Sequence, residues 1–595
     1  MGTAPCHRFS RWKLLAVVGG LALAPLAVNQ PAAQVVPDTV YYNGKIVTVN
    51  DGFDIVEAVA IRDGRFVAVG SNEEVRSLAT GETQLVDLQG QTVLLGFVDN
   101  HVHPGPPLRL APSVVDLRHA YTWEENATRL RQRVESLPPG EWIYAYASRL
   151  YFTDDEPPTP WFDDDPYGGI PDRWDLDEVA PNHPVVVRAS QIVVANSLAL
   201  TKAGITRDSR EPVDGAIIRD SAGEPNGILW YSVGDRVENL VPEPAPPTPL
   251  TPAQTFSAYT DFFRDLVALG ITSVNIAGST PEELRLYQNL QERWQGRLPR
   301  MTVQVGLSTG HTLDGLSESL ETLEGYGWRT GAGDNWLKLG AIKMYLDGGY
   351  TFSRPWPINS VAHKHVPGYY GGWRSDPELF YQTLKRGHDL GWQLGLHLAG
   401  DEGSRVVVDM FERILEANPR QDHRHHIIHF EVPPPDETFH KMERLGIGVA
   451  LQPNFTYGLQ PFFSMALSGE QLERNNPSRS ILDHGLHMSY GSDERPYGPL
   501  VGLYAQVTRR GVDGRVYGPE EAVTLEEAIR AYTMGSAWHT FDENRKGSIE
   551  VGKLADLVVL GEDILTIDPN RIMDIPIEQT IIAGKVVFDG QAPAP

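Results

Sequence analysis

Short apolar runs alternate with amphipathic stretches over most of this chain, and from residue 270 onward the alternation becomes regular. GITSVNIAG (270–278), RMTVQVGLS, WLKLGAIKMYLDGG, WQLGLHLAGD, HHIIHFE, IGVALQPN and LHMSYGSDE read as buried strands. Helical periodicity fills the gaps. TPEELRLYQNLQERW (280–294) opens with a Thr280–Glu283 capping box. DPELFYQTLKRGHDLG starts at a proline and stops at Gly391. SRVVVDMFERILEAN and DETFHKMERLG are two more helices. An earlier run, TVLLGFVDNHVH, adds one strand and brings the count to eight. Strand–helix alternation with eight strands predicts an α/β fold, a (β/α)8 barrel of the TIM type.

The two ends follow a different rule. TVYYNGKIVTV (39–49), AVAIRDGRFVAVG (58–70) and QLVDLQGQTVLLG (84–96) each carry a hairpin-type pair: Asn43-Gly44, Asp63-Gly64 and Gln89-Gly90. GKLADLVVLG (552–561) and TIIAGKVVFDG (580–590) look alike at the other end. Neither end alone has enough strands for a stable sheet with a buried face. The expectation is a small β-sandwich built from both termini, residues 34–94 with 545–595, flanking a barrel over 95–544. Residues 105 to about 250 break the alternation and read as an α+β insertion after strand one, ending near the proline-rich VPEPAPPTPLTP (241–252).

Composition narrows the picture. Hydrophobic residues at 41% and charged residues at 22% are ordinary for a globular chain. A net charge of −26, from 77 acidic against 51 basic residues, argues against nucleic acid, whose binding needs a basic patch. Residues 1–33 read as a secretory signal: Arg8, Arg11 and Lys13 precede an apolar run from Leu14 to Val28. That run is short and broken by Gly19, Gly20 and Pro25, which favours cleavage near Ala33 over a stable membrane anchor. A periplasmic or extracellular protein is expected. The only cysteine, Cys6, lies in this segment, so a metal site in the mature chain must use histidine, carboxylate or another oxygen ligand.

Functional groups of such barrels sit at the C-terminal ends of the strands. Strand one ends in His101 and His103. Positions i and i+2 of an extended chain face the same way, a natural arrangement for two imidazoles on one ion. Chance alone supplies roughly 0.5 such pairs in a chain of this composition, and a second pair, His363 and His365, lies among loop residues. The first pair stands out by its company. Strand four carries Lys343, strand five ends in His397, strand six in His429 and strand eight in Asp493. This set points to one or two divalent ions, zinc first, with manganese or iron as alternatives. A bound ion lowers the pKa of its water toward about 7, and the resulting hydroxide can attack a carbonyl. Asp493 would accept the proton and pass it to the leaving nitrogen. A bare Lys343 ammonium would be repelled by a dication. It is expected to be neutral, carboxylated, or turned away toward a carboxylate such as Asp347.

The blocks GFVDNHVH, GAIKMYLDGG, HLAGD, RHHIIHFE, LGIGVALQP, YGSD and GSIEVGKLADLVVL, in this order, resemble the amidohydrolase superfamily and in particular its YtcJ-like branch, over about residues 38–590. The resemblance implies that His101, His103, His397, His429 and Asp493 are metal ligands. It makes Lys343 the strand-four position, which in many relatives is carboxylated and bridges two metals. Departures fall elsewhere. Leu95-Gly96-Phe97 replaces the usual Pro-Gly-Phe, Gln191 stands where a histidine is usual, and Glu494 and Arg495 stand where small or apolar residues are common. The expected function is a secreted metal-dependent hydrolase of a C–N, amide-type bond in a small molecule. Competing readings are an esterase, lactonase or carbamate hydrolase with the same site, or a silent binding or regulatory protein on the scaffold. Trp142, Tyr144, Tyr146, Tyr151, Phe152, Trp161, Phe162, Tyr350, Phe352 and Trp356 point to a bulky or aromatic substrate wherever they are not core. A homo-oligomer is left open.

Overall fold

The structure is a computed structural model. It describes residues 36–105, 110–118, 120, 122–147, 171–189, 192–212, 215–242, 249–325, 327–349, 357–364, 366, 368–493 and 496–590. The expected signal segment, Gln191, His365, Glu494, Arg495 and the aromatics Tyr151 to Phe162 and Tyr350 to Trp356 lie outside the described residues.

The centre is a parallel eight-stranded barrel whose strands neighbour one another in chain order. They are β1 (Phe97–Val102), β2 (Ile271–Ser279), β3 (Arg300–Gly306), β4 (Leu337–Tyr345), β5 (Leu394–Leu398), β6 (His426–His429), β7 (Gly448–Leu451) and β8 (Met488–Tyr490). Helices α1 (Pro281–Trp294), α2 (Pro377–Asp389), α3 (Asp401–Ala417) and α4 (Asp436–Leu445) fall where the periodicity puts them. The Thr280–Glu283 box forms as expected. Gly391 and Gly446 follow α2 and α4 with φ of 90° and 70°, a backbone region that glycine enters without penalty.

Two sheets of the terminal sandwich share one core. One has the order Arg65–Gly70, Ala58–Arg62, Thr39–Tyr42, Gln84–Asp87; the other Lys585–Asp589, Ile577–Ile582, Leu557–Leu560, Thr92–Leu95, Lys45–Val47, Ile55–Val56. Tyr41 and Phe66 from the first meet Val93, Leu557 and Ile581 from the second. Of the three expected N-terminal hairpins, only Asp63-Gly64 forms one, joining Arg62 to Arg65. Asn43-Gly44 and Gln89-Gly90 instead carry the chain from one sheet to the other. Thr39–Tyr42 pairs in parallel with Gln84–Asp87, and Lys45–Val47 with Thr92–Leu95, so the two crossings run side by side. The Gly90 amide donates to the Asn43 carbonyl at 2.6 Å.

TVLLGFVDNHVH also divides. Thr92–Leu95 belongs to the sandwich and Phe97–Val102 to the barrel. The break is Gly96, where any Cβ would collide with the Thr272 side chain. The insertion is a six-stranded mixed sheet, Gly215–Arg219, Pro225–Tyr231, Ile192–Ala195, Val185–Ala189, Ile143–Tyr146, Val115–Asp116. One face joins Leu117, Ile143 and Trp230 to Ala399, Val432 and Phe455, which follow β5, β6 and β7, so the insertion sits on the C-terminal rim. Trp142 and Tyr144 pack with the other face, against a core of Val186, Val193 and Leu229. They are core aromatics of the insertion.

Candidate metal centre

His101 is fully buried and the His103 side chain is 45% exposed. Their Nε2 atoms lie 3.6 and 3.1 Å from one oxygen of Asp493. One donor atom from each of the three lies within 4.8 Å of the others. The His429 Nδ1 is 3.8 Å from the second Asp493 oxygen. His397 completes the group, with its ring centroid 4.3 Å from that of His429. The strand ends thus bring together the histidines and the aspartate that the sequence singles out.

Hydrogen bonds fix which atoms face inward. The His397 Nε2 contacts the Gly348 carbonyl at 3.0 Å and so acts as the donor. This leaves Nδ1 with the lone pair. Neither that Nδ1 nor the one on His429 makes a hydrogen bond. Burial holds His101, His397 and His429 well below the usual imidazole range, helped by Lys343 in each case and, for His429, more strongly by His397. The rings are therefore neutral and offer lone pairs.

The backbone is strained at two of these positions. His429 and the following Phe430 have φ of 81° and 56°, and Asp493 has φ of 59°. Such conformations cost roughly 1–3 kcal/mol each in residues other than glycine. Neighbours enforce them: the Phe430 amide bonds to the Leu398 carbonyl at 2.8 Å, and the Asp493 amide to the His101 carbonyl at 2.7 Å.

Lys343 faces the barrel interior, as its alternation with Ala341 and Tyr345 suggests. It is fully buried, its Nζ is 3.4 Å from the His101 Nε2, and burial lowers its pKa to about 7, with Asp493 opposing. The expected alternative partner, Asp347, is engaged elsewhere. Its carboxylate accepts the amides of Ala399 and Gly400 at 3.2 and 3.0 Å, just before α3. Of the second histidine pair, His363 is not part of the group. His363 is buried against Trp230 and Tyr231, in the packing between insertion and barrel.

Three neighbours escaped the sequence reading as site residues. Asp99, buried two residues before His101, accepts the His101 amide at 3.1 Å and the Ser492 amide at 2.8 Å. Tyr345 lays its ring 4.8 Å from that of His397. Phe455 sits parallel to His429 with centroids 6.0 Å apart. Spacing of two from a candidate ligand was the available signal for Asp99 and Tyr345. Phe455 had none, because it reaches the rim through the short helix Pro453–Gly458.

A parallel barrel with imidazoles and a carboxylate gathered at its C-terminal rim defines a metal-dependent hydrolase. The chain belongs to the amidohydrolase family, whose family model matches residues 84–588. It is similar to the putative amidohydrolase YtcJ of Bacillus subtilis, 26% identical over 570 residues that cover 92% of this chain and 99% of the relative. It is also similar to the N-substituted formamide deformylase of Arthrobacter pascens, 27% identical over 585 residues that cover 93% and 98%. Among solved structures, an uncharacterized metal-dependent hydrolase from Pyrococcus horikoshii OT3 shares the fold with a TM-score of 0.60 at 20% identity, covering 89% of this chain and 99% of that one.

Proposed function

We propose that this protein is a secreted hydrolase that uses a divalent metal to cleave a C–N bond of the amide type in a small molecule. The observation that carries the reading is the convergence of His101, His103 and His429 nitrogens on the Asp493 carboxylate, with the buried Nδ1 of the adjacent His397 making no hydrogen bond. Buried lone pairs of this kind fit a cation. A set of imidazoles with a carboxylate suits zinc, with manganese or iron next. His101, His103, His397, His429 and Asp493 would hold the ion, and a carboxylated Lys343 would allow a second.

When bound, the ion supplies Lewis acidity at the scissile carbonyl and lowers the pKa of water. The chain supplies the rest. Burial keeps the imidazoles of His101, His397 and His429 neutral, so they bind rather than repel the cation. Asp493 takes a proton from the attacking water and returns it to the leaving nitrogen. The water oxygen joins the carbonyl carbon, the C–N bond breaks, and the products are an acid and an amine. The name of the Arthrobacter relative makes N-substituted formamides the first compounds to try.

The test is elemental analysis of protein purified without chelator, followed by a panel of N-substituted formamides, anilides and chromogenic esters. The expected result is bound divalent metal and amide turnover that Asp493→Asn abolishes. Turnover of esters alone would move the reading to ester hydrolysis. A metal-loaded protein that hydrolyses nothing in the panel would overturn it.

A further inference from the structure

Seven of the eight strand junctions in the barrel are hydrogen-bonded ladders, and the eighth, between β8 and β1, is not. β8 ends at Tyr490, three residues before Asp493. Among the described residues, a single bridge, Val102 to Asp493, spans this seam. Side chains do the remaining work. Asn100 donates to the Ser489 hydroxyl at 2.5 Å. One oxygen of Asp99 accepts two amides at once, that of His101 from β1 and that of Ser492 from the segment after β8. Gly491 lets the two backbones approach, since a Cβ there would lie 2.8 Å from the Cβ of His101.

We infer that Asp99 is a positioning residue for the metal centre: its carboxylate ties the backbone of His101 to the backbone beside Asp493 and so sets the gap across which these two donors face each other. The inference rests on the metal reading given above. Asp99 is fully buried, so neither amide can turn to water if the carboxylate is removed. A merely structural Asp99 would lower stability and leave the donor spacing intact. A positioning Asp99 must also change how tightly metal is held.

Metal affinity, by competition with a chromogenic chelator well below the unfolding temperature, separates these cases. The comparison is wild type against Asp99→Asn, Asp99→Ala and Asp99→Glu. The amide oxygen of asparagine can accept the same two amides, so its affinity should stay within a few fold of wild type. Alanine removes the acceptor, and a loss on the order of 10- to 100-fold is expected, as for other residues that orient ligands. Should the alanine variant fail to fold, the glutamate variant keeps the charge, displaces the oxygen by one methylene and should weaken binding in the same way. A folded alanine or glutamate variant with wild-type affinity would overturn the inference. So would an asparagine variant as weak as alanine, because charge rather than the paired bonds would then matter. A wild-type chain that binds no divalent ion defeats the metal reading instead. In that event, amide hydrogen exchange at His101 and Ser492 decides. Faster exchange in Asp99→Glu upholds the tie, and unchanged exchange refutes it.

Discussion

Replacing Gly491 by alanine should push the seam of the barrel open. The backbone there does not require glycine for its φ, so the effect is steric. The new Cβ would lie 2.8 Å from the His101 Cβ and 2.9 Å from the Asn100 carbonyl carbon, where ordinary contact is 3.4–4 Å. It would come closer still to the His101 amide nitrogen, which is backbone and cannot rotate away. The segment after β8 must retreat by roughly 1 Å, at a cost typical of overpacking, about 1–3 kcal/mol. The same retreat stretches the 2.7 Å bond from the Asp493 amide to the His101 carbonyl past useful length. It also carries Asp493 away from the His103 nitrogen that now stands 3.1 Å from it. A displacement of about 1 Å in a reacting geometry costs on the order of 100-fold in rate. Denaturant unfolding of the metal-free variant and chelator competition measure the two effects separately, and turnover gives the third. Wild-type stability with wild-type affinity would refute the steric argument. Lost stability with unchanged affinity would show that the seam does not place the donors.

Lys343→Ala should lose one of two metals and most turnover, with partial rescue by a short-chain carboxylic acid; elemental analysis showing full metal content together with full turnover would remove Lys343 from the donor set. The metal-free protein should weaken in acid. His388, His423, His425, His426, His487 and His539 are all held below the usual imidazole range, chiefly by burial, and His388 and His425 share a 2.8 Å hydrogen bond. The unfolded chain takes up protons near pH 6.5 that the folded chain refuses, so stability is full above that pH and falls below it. A thermal midpoint that stays flat from about pH 8 to about pH 5 would contradict this. Mass spectrometry of the chain from its native host should find an N-terminus near residue 33, and an intact Met1 on a cytoplasmic protein would defeat the export reading.

The barrel was legible because its strands are buried on both faces and end in residues that a core has no use for. His397 and His429 close apolar runs, and Asp493 follows one, so strand positions and candidate donors emerged together. What stayed hidden depends on partners distant in sequence. Asn43-Gly44 adopts its turn whether the chain folds back or crosses to another sheet, and only the pairing with Gln84–Asp87 decides. Gly96 looks like an unremarkable glycine until Thr272 is placed against it. Asp347 is near Lys343 in sequence, yet its oxygens serve amides 52 and 53 residues further on. Asp99 sits inside the very block that announced the site, but its second partner, Ser492, is 393 residues away in sequence, just after β8.

The shared sandwich has a consequence for the order of events during synthesis. Thr92–Leu95 needs Leu557–Leu560 as its neighbour, and Arg300 at the foot of β3 needs Asp556, which it grips at 2.7 and 2.9 Å. Both partners leave the ribosome long after the residues they pair with. Until they do, the core around Val93 and Leu95 lacks Leu557, Val559 and Ile581, and the base of the barrel has a buried-type arginine with no carboxylate. Domains ordinarily begin to fold from the N-terminal side as they emerge. Here the first strands must wait for the last, so chains released early, for example by a stop codon before Leu557, should be recognised as unfinished at both ends and cleared rather than accumulate as active fragments.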